Sequence, residues 1–227
     1  MSDPLAAVPR SFLRDQAYAR LREAIITGTL APGQTIVIDD LARQLELSAM
    51  PVREALASLV RDGLVESLPR RAHRVSSMSE HDAMALADVV ATVTVRVYAL
   101  GAPNVDAAGM DLMQRFIDEH DTAMASGQLE QAVRAVEGFH GVVFQACGNP
   151  EYRRLLDSLV PRWERIMLLQ YPEAIERFGP HVTGVVLAAL RSGDPSGAVA
   201  AVRATWAAFA SELLHQRDAP DGALEAP

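Results

Sequence analysis

The residue with the clearest capacity for chemistry lies in LSAMPVREALASLVRDGL, residues 47–64, which is typical of a short helix launched from a serine. Ser48 precedes this helix, Pro51 falls in its first turn, and Arg53 lies on its outer side. A guanidinium donates paired hydrogen bonds to phosphate oxygens or to the edge of guanine. The alternative is an ordinary solvated arginine beside Glu54. The secondary-structure elements around Arg53 decide between an arginine that contacts DNA and an ordinary solvated arginine.

Residues that could carry catalysis are scattered. The chain has six histidines and one cysteine, Cys147, and neither a serine motif nor a carboxylate pair accompanies them. We therefore expect no enzyme. A lone cysteine excludes an internal disulfide framework and fits a reducing compartment. No apolar run approaches a membrane span and no signal peptide is evident, so we expect a cytoplasmic protein without a membrane partner.

The charge of the chain is unevenly distributed. The formal net charge is −8, yet residues 1–78 carry ten arginines and nine acidic residues, and the remainder carries −9. All the cations are arginine, since the chain has no lysine. This asymmetry permits phosphate binding at the N-terminal end without proving it.

The elements that must position Arg53 are three helices. Residues 11–27 have one apolar stripe, with Ser11 as N-cap and Gly28 as the stop. Asp39 or Asp40 is expected to cap a second helix, and Ser48 a third. The apolar face predicted for the third helix comprises Val52, Ala55, Leu56, Leu59 and Val60; the opposite side presents Ala49, Met50, Arg53 and Ala57. Residues 38–57 therefore predict a helix-turn-helix.

Two short alternating segments follow, around Pro69-Arg70-Arg71-Ala72. They predict a hairpin over about 64–76 with a basic tip, followed by His73 and Arg74. This ordered set of elements predicts a winged helix-turn-helix DNA-binding domain over residues 1–78.

The rest of the chain reads as an all-helical bundle over residues 79–217, so the fold class is mainly α. Breaks at proline, glycine and GNP or GDP separate six predicted helices, which are 79–102, 105–126, 129–147, 151–171, 180–192 and 195–217. Residues 218–227, DAPDGALEAP, are expected to be a disordered tail.

The run AYARLREAIITGTLAPGQTIVIDDLARQLELSAMPVREALASLVRDGLVESLPRRAHRV resembles the DNA-binding domain of the GntR family of bacterial transcription regulators. The resemblance implies contact with double-stranded DNA by residues of the third helix and the wing, namely Ser48, Ala49, Met50, Arg53, Arg70, Arg71 and His73. Two positions depart from the family. Ala49 stands where many relatives have arginine, and Ala72 replaces a usual glycine, so the operator sequence is harder to infer.

The segments FHGVVFQACGNPEY and LAALRSGDPSGAVAAVRA resemble the FadR-type (FCD) effector domain of the same family. Many members bind a divalent metal through one aspartate and three histidines. Carried over by position, these ligands fall on Val136, His140, Thr183 and Thr205, so one of four is retained. The resemblance therefore disfavours a metal or other cofactor, with His140 and His181 as weak candidate ligands.

The same positions, with Arg96, would line an effector pocket that is more neutral than usual and would favour an uncharged or mostly apolar metabolite. The implied scheme is a homodimer that reads a short inverted repeat, with repression modulated by the effector. The alternative is a ligand-independent DNA-binding or interaction protein with a degenerate effector site.

Overall fold

The computed structural model describes residues 10–69 and 72–218, except for the side chains of residues 10, 11, 176–181 and 212–218. The elements along the chain are α1 (Arg10–Ile26), β1 (Thr35–Ile36), α2 (Ile38–Leu45), α3 (Ala49–Arg61), β2 (Val65–Leu68), β3 (Ala72–Val75), α4 (Glu80–Gly101), a 3-10 turn (Ala102–Asn104), α5 (Ala107–Ala125), α6 (Leu129–Ala146), α7 (Pro150–Gln170), α8 (Pro172–Arg191) and α9 (Pro195–Asp218). They form two compact units. Unit 1 comprises Met1–Ser79 and Asp157–Gln170, and unit 2 comprises Glu80–Leu156 and Tyr171–Pro227.

The core of unit 1 forms where α1 packs on α3. From α1 it takes Ala17, Leu21 and Ile25, which recur at intervals of four and are all buried. Of the face of α3 predicted to be apolar, Val52, Ala55, Leu56 and Leu59 are completely buried in this core, and Val60 packs against it half-buried. Helical periodicity therefore located the core of unit 1 correctly.

A three-stranded antiparallel sheet completes unit 1, in the order β1-β3-β2. The hairpin of β2 and β3 matches the predicted wing, and its register places Val65 opposite Val75. Strand β1, which the sequence analysis did not anticipate, pairs Thr35 with Arg74 and Ile36 with His73. A strand of two residues is too short to show the alternation of apolar and polar side chains by which a strand is recognised in a sequence. Its pairing depends on the partner strand β3.

The predicted helix caps of unit 1 need correction. Ser11 lies inside α1, which begins one residue earlier, and Val37 rather than Asp39 or Asp40 occupies the N-cap of α2. The two aspartates lie in the first turn of α2, where their charge favours the positive end of the helix dipole. Gly28 follows α1 with a φ of +80°, as expected of a helix-terminating glycine.

The C-terminal part of α7 belongs to unit 1, although the sequence analysis grouped it with the effector domain. The Arg165 guanidinium, buried at 3 % exposure, donates hydrogen bonds to both oxygens of Ser76. Glu164, also buried, accepts a hydrogen bond of 2.5 Å from Arg22 of α1. These contacts join residues 89 and 142 positions apart, beyond the reach of any local pattern.

Unit 2 is a helical bundle in which α5 packs on α6, α8 on α9, and α4 on both α6 and α9. Helices α4 and α6 approach so closely that a Cβ at Gly101 would overlap the carbonyl oxygen of Val143. The predicted start of α8 at Pro180 is wrong, since the helix begins at Pro172 and continues through Pro180. Buried residues on both sides, including Ile175 and Val182, hold the helix together across that proline.

Within the described residues, Glu80–Asn104 is the one helical stretch whose length and composition would suit a membrane span, with a mean hydropathy of 1.6 over its most apolar 18 residues. One side of this stretch, including Val90, Val97 and Tyr98, is buried in unit 2. Core helices of soluble proteins satisfy the same criterion of length and composition.

Candidate DNA-binding surface and effector site

Helix α3 presents one free face of unit 1 to solvent. Its buried residues fix its rotation, so that Met50, at 61 % exposure, Arg53 and Ala57 face outward together. Ala49, the first residue of the helix, is half-buried, and Pro51 is buried in the first turn. Met50, Arg53 and Ala57 therefore form a row of outward-facing side chains, about one helical turn apart, on the second helix of the helix-turn-helix.

Ser48 occupies the N-cap of α3 with an extended backbone, at φ −75° and ψ 162°. Its position was predicted correctly, but its side chain makes no capping hydrogen bond. The exposed hydroxyl therefore keeps its donor and acceptor capacity beside the first turn of α3. The backbone N–H groups of that turn add a partial positive charge at the same end of the helix.

Arg53 is exposed and, within the described residues, has neither an ion-pair nor a hydrogen-bond partner. Several other arginines of unit 1 are engaged, although Arg20 on α1, like Arg53, is exposed without a partner among the described residues. Arg43 pairs with Asp40, and Arg61 donates to the carbonyl of Ala57 and the hydroxyl of Ser58. Arg53 is thus a cation that can bind an incoming anion without first losing a protein partner.

The described part of the wing, without its tip, contributes little free positive charge. Arg74 on β3 donates to Glu66, directly opposite on β2, at 2.7 Å, so this pair neutralises its own charge. His73 is half-buried on β3, and its Nδ1 is buried without a hydrogen-bond partner. Arg70 and Arg71, the predicted tip cations, lie outside the described residues.

The candidate effector site in unit 2 is built around two residues on neighbouring helices. The Tyr98 hydroxyl of α4 lies 2.5 Å from Nδ1 of His140 on α6. Phe144 stacks on the imidazole with a centroid distance of 6.2 Å, and Phe139 meets it edge to face at 5.5 Å. Burial lowers the pKa of His140 to about 4 and raises the pKa of Tyr98. The imidazole is therefore neutral near pH 7.

The other predicted pocket residues have different environments. Val136 on α6 and Thr205 on α9 are half-buried, and Thr183 on α8 is buried at 4 % exposure. The Thr205 hydroxyl donates to the carbonyl of Ala201 within its own helix. Arg96 on α4 is exposed, whereas its neighbours Val97 and Tyr98 are buried.

The same residues are the candidates for holding a metal ion. Among the side chains that the structure describes, no three of His, Cys, Asp and Glu come together in a metal-binding group. The side chain of His181 lies outside that description. In the described part of the chain, the neighbours of the His140 imidazole are the Tyr98 hydroxyl and two phenyl rings, which suit a neutral partner better than a divalent cation.

Tyr98 and Phe144 were not among the site residues predicted from the sequence. Tyr98 is the one hydroxyl-bearing aromatic residue in the apolar run ADVVATVTVRVYALGA, and a buried phenol requires a hydrogen-bond partner. This requirement could have marked Tyr98 as a candidate site residue in the sequence. The sequence does not show that the partner is His140, because 42 positions separate the two residues.

The chain matches two families of known proteins, which define its class. Residues 13–75 match the model of bacterial regulatory proteins of the GntR family, and residues 85–208 match the FCD domain. The chain belongs to the GntR family and carries an FCD domain. It is a DNA-binding transcriptional regulator with an effector-binding domain and not an enzyme, as the sequence analysis predicted.

Individual relatives agree with this assignment. The chain is 33% identical over 174 residues to an uncharacterized HTH-type transcriptional regulator, BphR, of Paraburkholderia xenovorans, covering 71% of this chain and 68% of the relative. It is 26% identical over 206 residues to the HTH-type transcriptional repressor GlaR of Escherichia coli, covering 88% and 89%. The solved structure of Escherichia coli McbR/YncC has a TM-score of 0.75 at 22% identity, covers 93% of this chain and is itself covered completely, and shows the same fold.

Proposed function

We propose that this regulator is a homodimeric repressor that binds a short inverted-repeat operator and responds to a small metabolite in its FCD domain. The observation that carries the DNA-binding part is the free face of α3, where Arg53, without a partner among the described residues, stands beside exposed Met50 and Ser48. A helix of this kind enters the major groove, and two-fold symmetry of a dimer requires a matching operator. The bacterial chromosome lies in the cytoplasm, where we place the protein.

Ser48, Ala49, Met50 and Arg53 form the proposed base-reading and phosphate-binding row of α3. Ala49 supplies no hydrogen bond, so direct base reading rests on Arg53 and the Ser48 hydroxyl. We assign Arg70, Arg71 and His73 of the wing to the phosphate backbone or the adjacent minor groove. Repression is proposed because the similar protein GlaR is named a repressor.

Operator selection tests this proposal. The purified protein is incubated with random genomic fragments, the bound fragments are sequenced, and binding is titrated with salt. We expect a short inverted repeat whose affinity falls as salt rises, since arginine–phosphate contacts release counterions. Selection of an asymmetric site would contradict the dimeric part of the proposal. Recovery of no specific sequence would contradict operator binding and favour the interaction-protein alternative.

The effector is proposed to be uncharged or mostly apolar. His140 is neutral near pH 7, its neighbours are aromatic, and the two remaining lost ligand positions on other helices, Thr183 and Thr205, carry hydroxyl groups. These residues can hydrogen-bond and stack on a neutral ligand, and none of them carries a positive charge near pH 7 that would bind a carboxylate.

A paired thermal-shift screen tests the ligand class. Neutral metabolites and their carboxylate analogues are compared on the wild type and on Tyr98→Phe, which retains the ring but removes the hydroxyl. We expect stabilisation by a neutral compound, reduced in Tyr98→Phe. High-affinity binding of a carboxylate would overturn the proposed class.

A further inference from the structure

The hydrogen bond between Tyr98 and His140 determines which nitrogen of the imidazole carries a proton. Tyr98 is completely buried, and Nδ1 of His140 is the one hydrogen-bond partner that its hydroxyl has among the described residues. Burial raises the pKa of Tyr98, so the phenol keeps its proton near pH 7. A buried hydroxyl that donates to no acceptor is unfavourable. Tyr98 therefore donates to Nδ1, which can accept only when it is unprotonated.

The proton of the neutral imidazole is then on Nε2, because a neutral histidine has one N–H group and Nδ1 is already the acceptor. Among the described residues, this N–H has no acceptor. Phe144 stacks on the ring and Phe139 meets it edge to face, and neither phenyl group has a lone pair. The Nε2–H of His140 is therefore a donor that remains for a bound molecule.

A bound molecule can reach the imidazole. His140 is half-buried rather than buried, although aromatic rings surround it in the middle of α6. Val136 and Phe144, one turn before and one turn after His140 on α6, are half-buried as well. The accessible surface therefore extends along α6 on both sides of the imidazole, and the side chains one turn away are apolar.

We propose that His140 donates a hydrogen bond from Nε2–H to the effector, and that Tyr98 is the positioning residue that holds the imidazole in this tautomer. The effector is then a neutral compound with an acceptor oxygen, as in a ketone, ester, lactone or amide, joined to an apolar body that packs on Val136 and Phe144. A group that only donates hydrogen bonds would meet the N–H of His140 and is disfavoured. This inference rests on the proposed effector site and specifies the chemistry of its ligand.

Nitrogen NMR tests the tautomer directly. The six histidines of the full chain are labelled with nitrogen-15, and long-range proton–nitrogen correlation spectra at pH 7 distinguish a protonated ring nitrogen from an unprotonated one. The signals of His140 are those that disappear in His140→Gln. We expect a protonated Nε2 and an unprotonated Nδ1. A proton on Nδ1 would overturn the inference.

Tyr98→Phe tests the positioning role with the same spectra. The substitution removes the donor to Nδ1, so the proton should distribute over both nitrogens and move their two signals toward each other. Tyr152→Phe, which removes the hydroxyl of a half-buried tyrosine on α7, is the matched control and should leave the signals of His140 unchanged. A tautomer that stays the same in Tyr98→Phe would refute Tyr98 as the positioning residue.

Three probes of similar shape test the acceptor. Acetophenone presents a ketone oxygen, α-methylstyrene replaces that oxygen with a methylene group, and benzoate replaces the ketone with a carboxylate. Each is added at about 1 mM, a concentration suited to weakly bound compounds of this size. We expect acetophenone to shift the Nε2 signal of His140 at least about threefold more than α-methylstyrene, because an unpaired donor rejects the analogue that lacks an acceptor. The acetophenone shift should fall in Tyr98→Phe and persist in Tyr152→Phe.

The outcomes separate this inference from the proposed function. Equal shifts with acetophenone and α-methylstyrene would overturn the hydrogen bond to His140 while leaving an apolar effector in place. The largest shift with benzoate would also overturn the neutral effector class of the proposed function. No shift with any probe would show that His140 does not bind such compounds, which overturns this inference and leaves operator binding unaffected.

Discussion

The Arg165 guanidinium of α7 donates one hydrogen bond to the Ser76 hydroxyl at 3.1 Å and another to the Ser76 carbonyl at 2.8 Å. Ser76 directly follows wing strand β3 and donates its own hydroxyl to the carbonyl of Gly63, at the start of the wing. One buried side chain from residue 165 thus secures the base of the wing. The DNA-binding unit therefore depends on a helix far along the chain.

Arg165→Ala should lower the free energy of unfolding by about 2 kcal/mol, because the substitution removes the buried guanidinium together with its two hydrogen bonds to Ser76. Urea unfolding monitored by circular dichroism measures the change. Arg154→Ala is the matched control on the same helix. Its side chain is exposed and pairs with exposed Glu151, so its loss should cost less than about 0.5 kcal/mol. Equal effects of the two substitutions would contradict the structural role of Arg165.

Lowering the pH should destabilise the protein through His140. Burial lowers its folded-state pKa from 6.5 to about 4, so between these values the unfolded chain binds the proton that the folded chain excludes. Stability from this residue is present above pH 6.5 and is lost as pH falls. Between pH 7.5 and 5.5 the loss should be about 1.4 kcal/mol.

The matched variant His140→Gln retains a polar side chain but has no titratable group. Comparing the urea unfolding of this variant and the wild type at both pH values isolates the contribution of His140 from those of the carboxylates. The wild type should lose more stability than the variant. An identical loss in both would show that His140 is not buried in its neutral form.

Two glycine substitutions should have opposite effects on stability. Gly101→Ala places a methyl group against the Val143 carbonyl, which belongs to the backbone of α6 and cannot rotate away, so we expect a loss of about 2 kcal/mol. Gly141→Ala meets no atom within 4 Å and lies inside α6, so improved helix propensity should give a gain of up to about 1 kcal/mol. Thermal unfolding measures both. Destabilisation by both to the same extent would argue against the close α4–α6 approach.

Local periodicity accounts for the parts of the fold that were predictable. The buried face of α3 and the hairpin of β2 and β3 follow from spacing and turn residues within a few positions of each other. The start of α8 was missed because Pro180 is a strong local breaker, yet buried residues on either side outweigh its cost.

The candidate sites also contain some features that the sequence predicts and others that it does not. The outward position of Arg53 follows from the phase of one helix and was available from the sequence. The Tyr98–His140 and Arg165–Ser76 contacts join residues 42 and 89 positions apart, and a single sequence contains no information on which distant residues meet. The capping bond expected of Ser48 was also wrong, because cap position does not determine the rotamer of the side chain.

The most direct test of the central claim is operator affinity of Arg53→Ala, measured by fluorescence anisotropy over a range of salt concentrations against the selected operator. Arg115→Ala, which removes an equal charge from an exposed site on α5, is the control. We predict that Arg53→Ala loses specific binding, with operator affinity weakened by about 1–3 kcal/mol. Its fold and oligomeric state should be unchanged. Arg115→Ala should bind the operator as the wild type does. Unchanged operator affinity in Arg53→Ala would contradict the assignment of α3 as the DNA-reading helix.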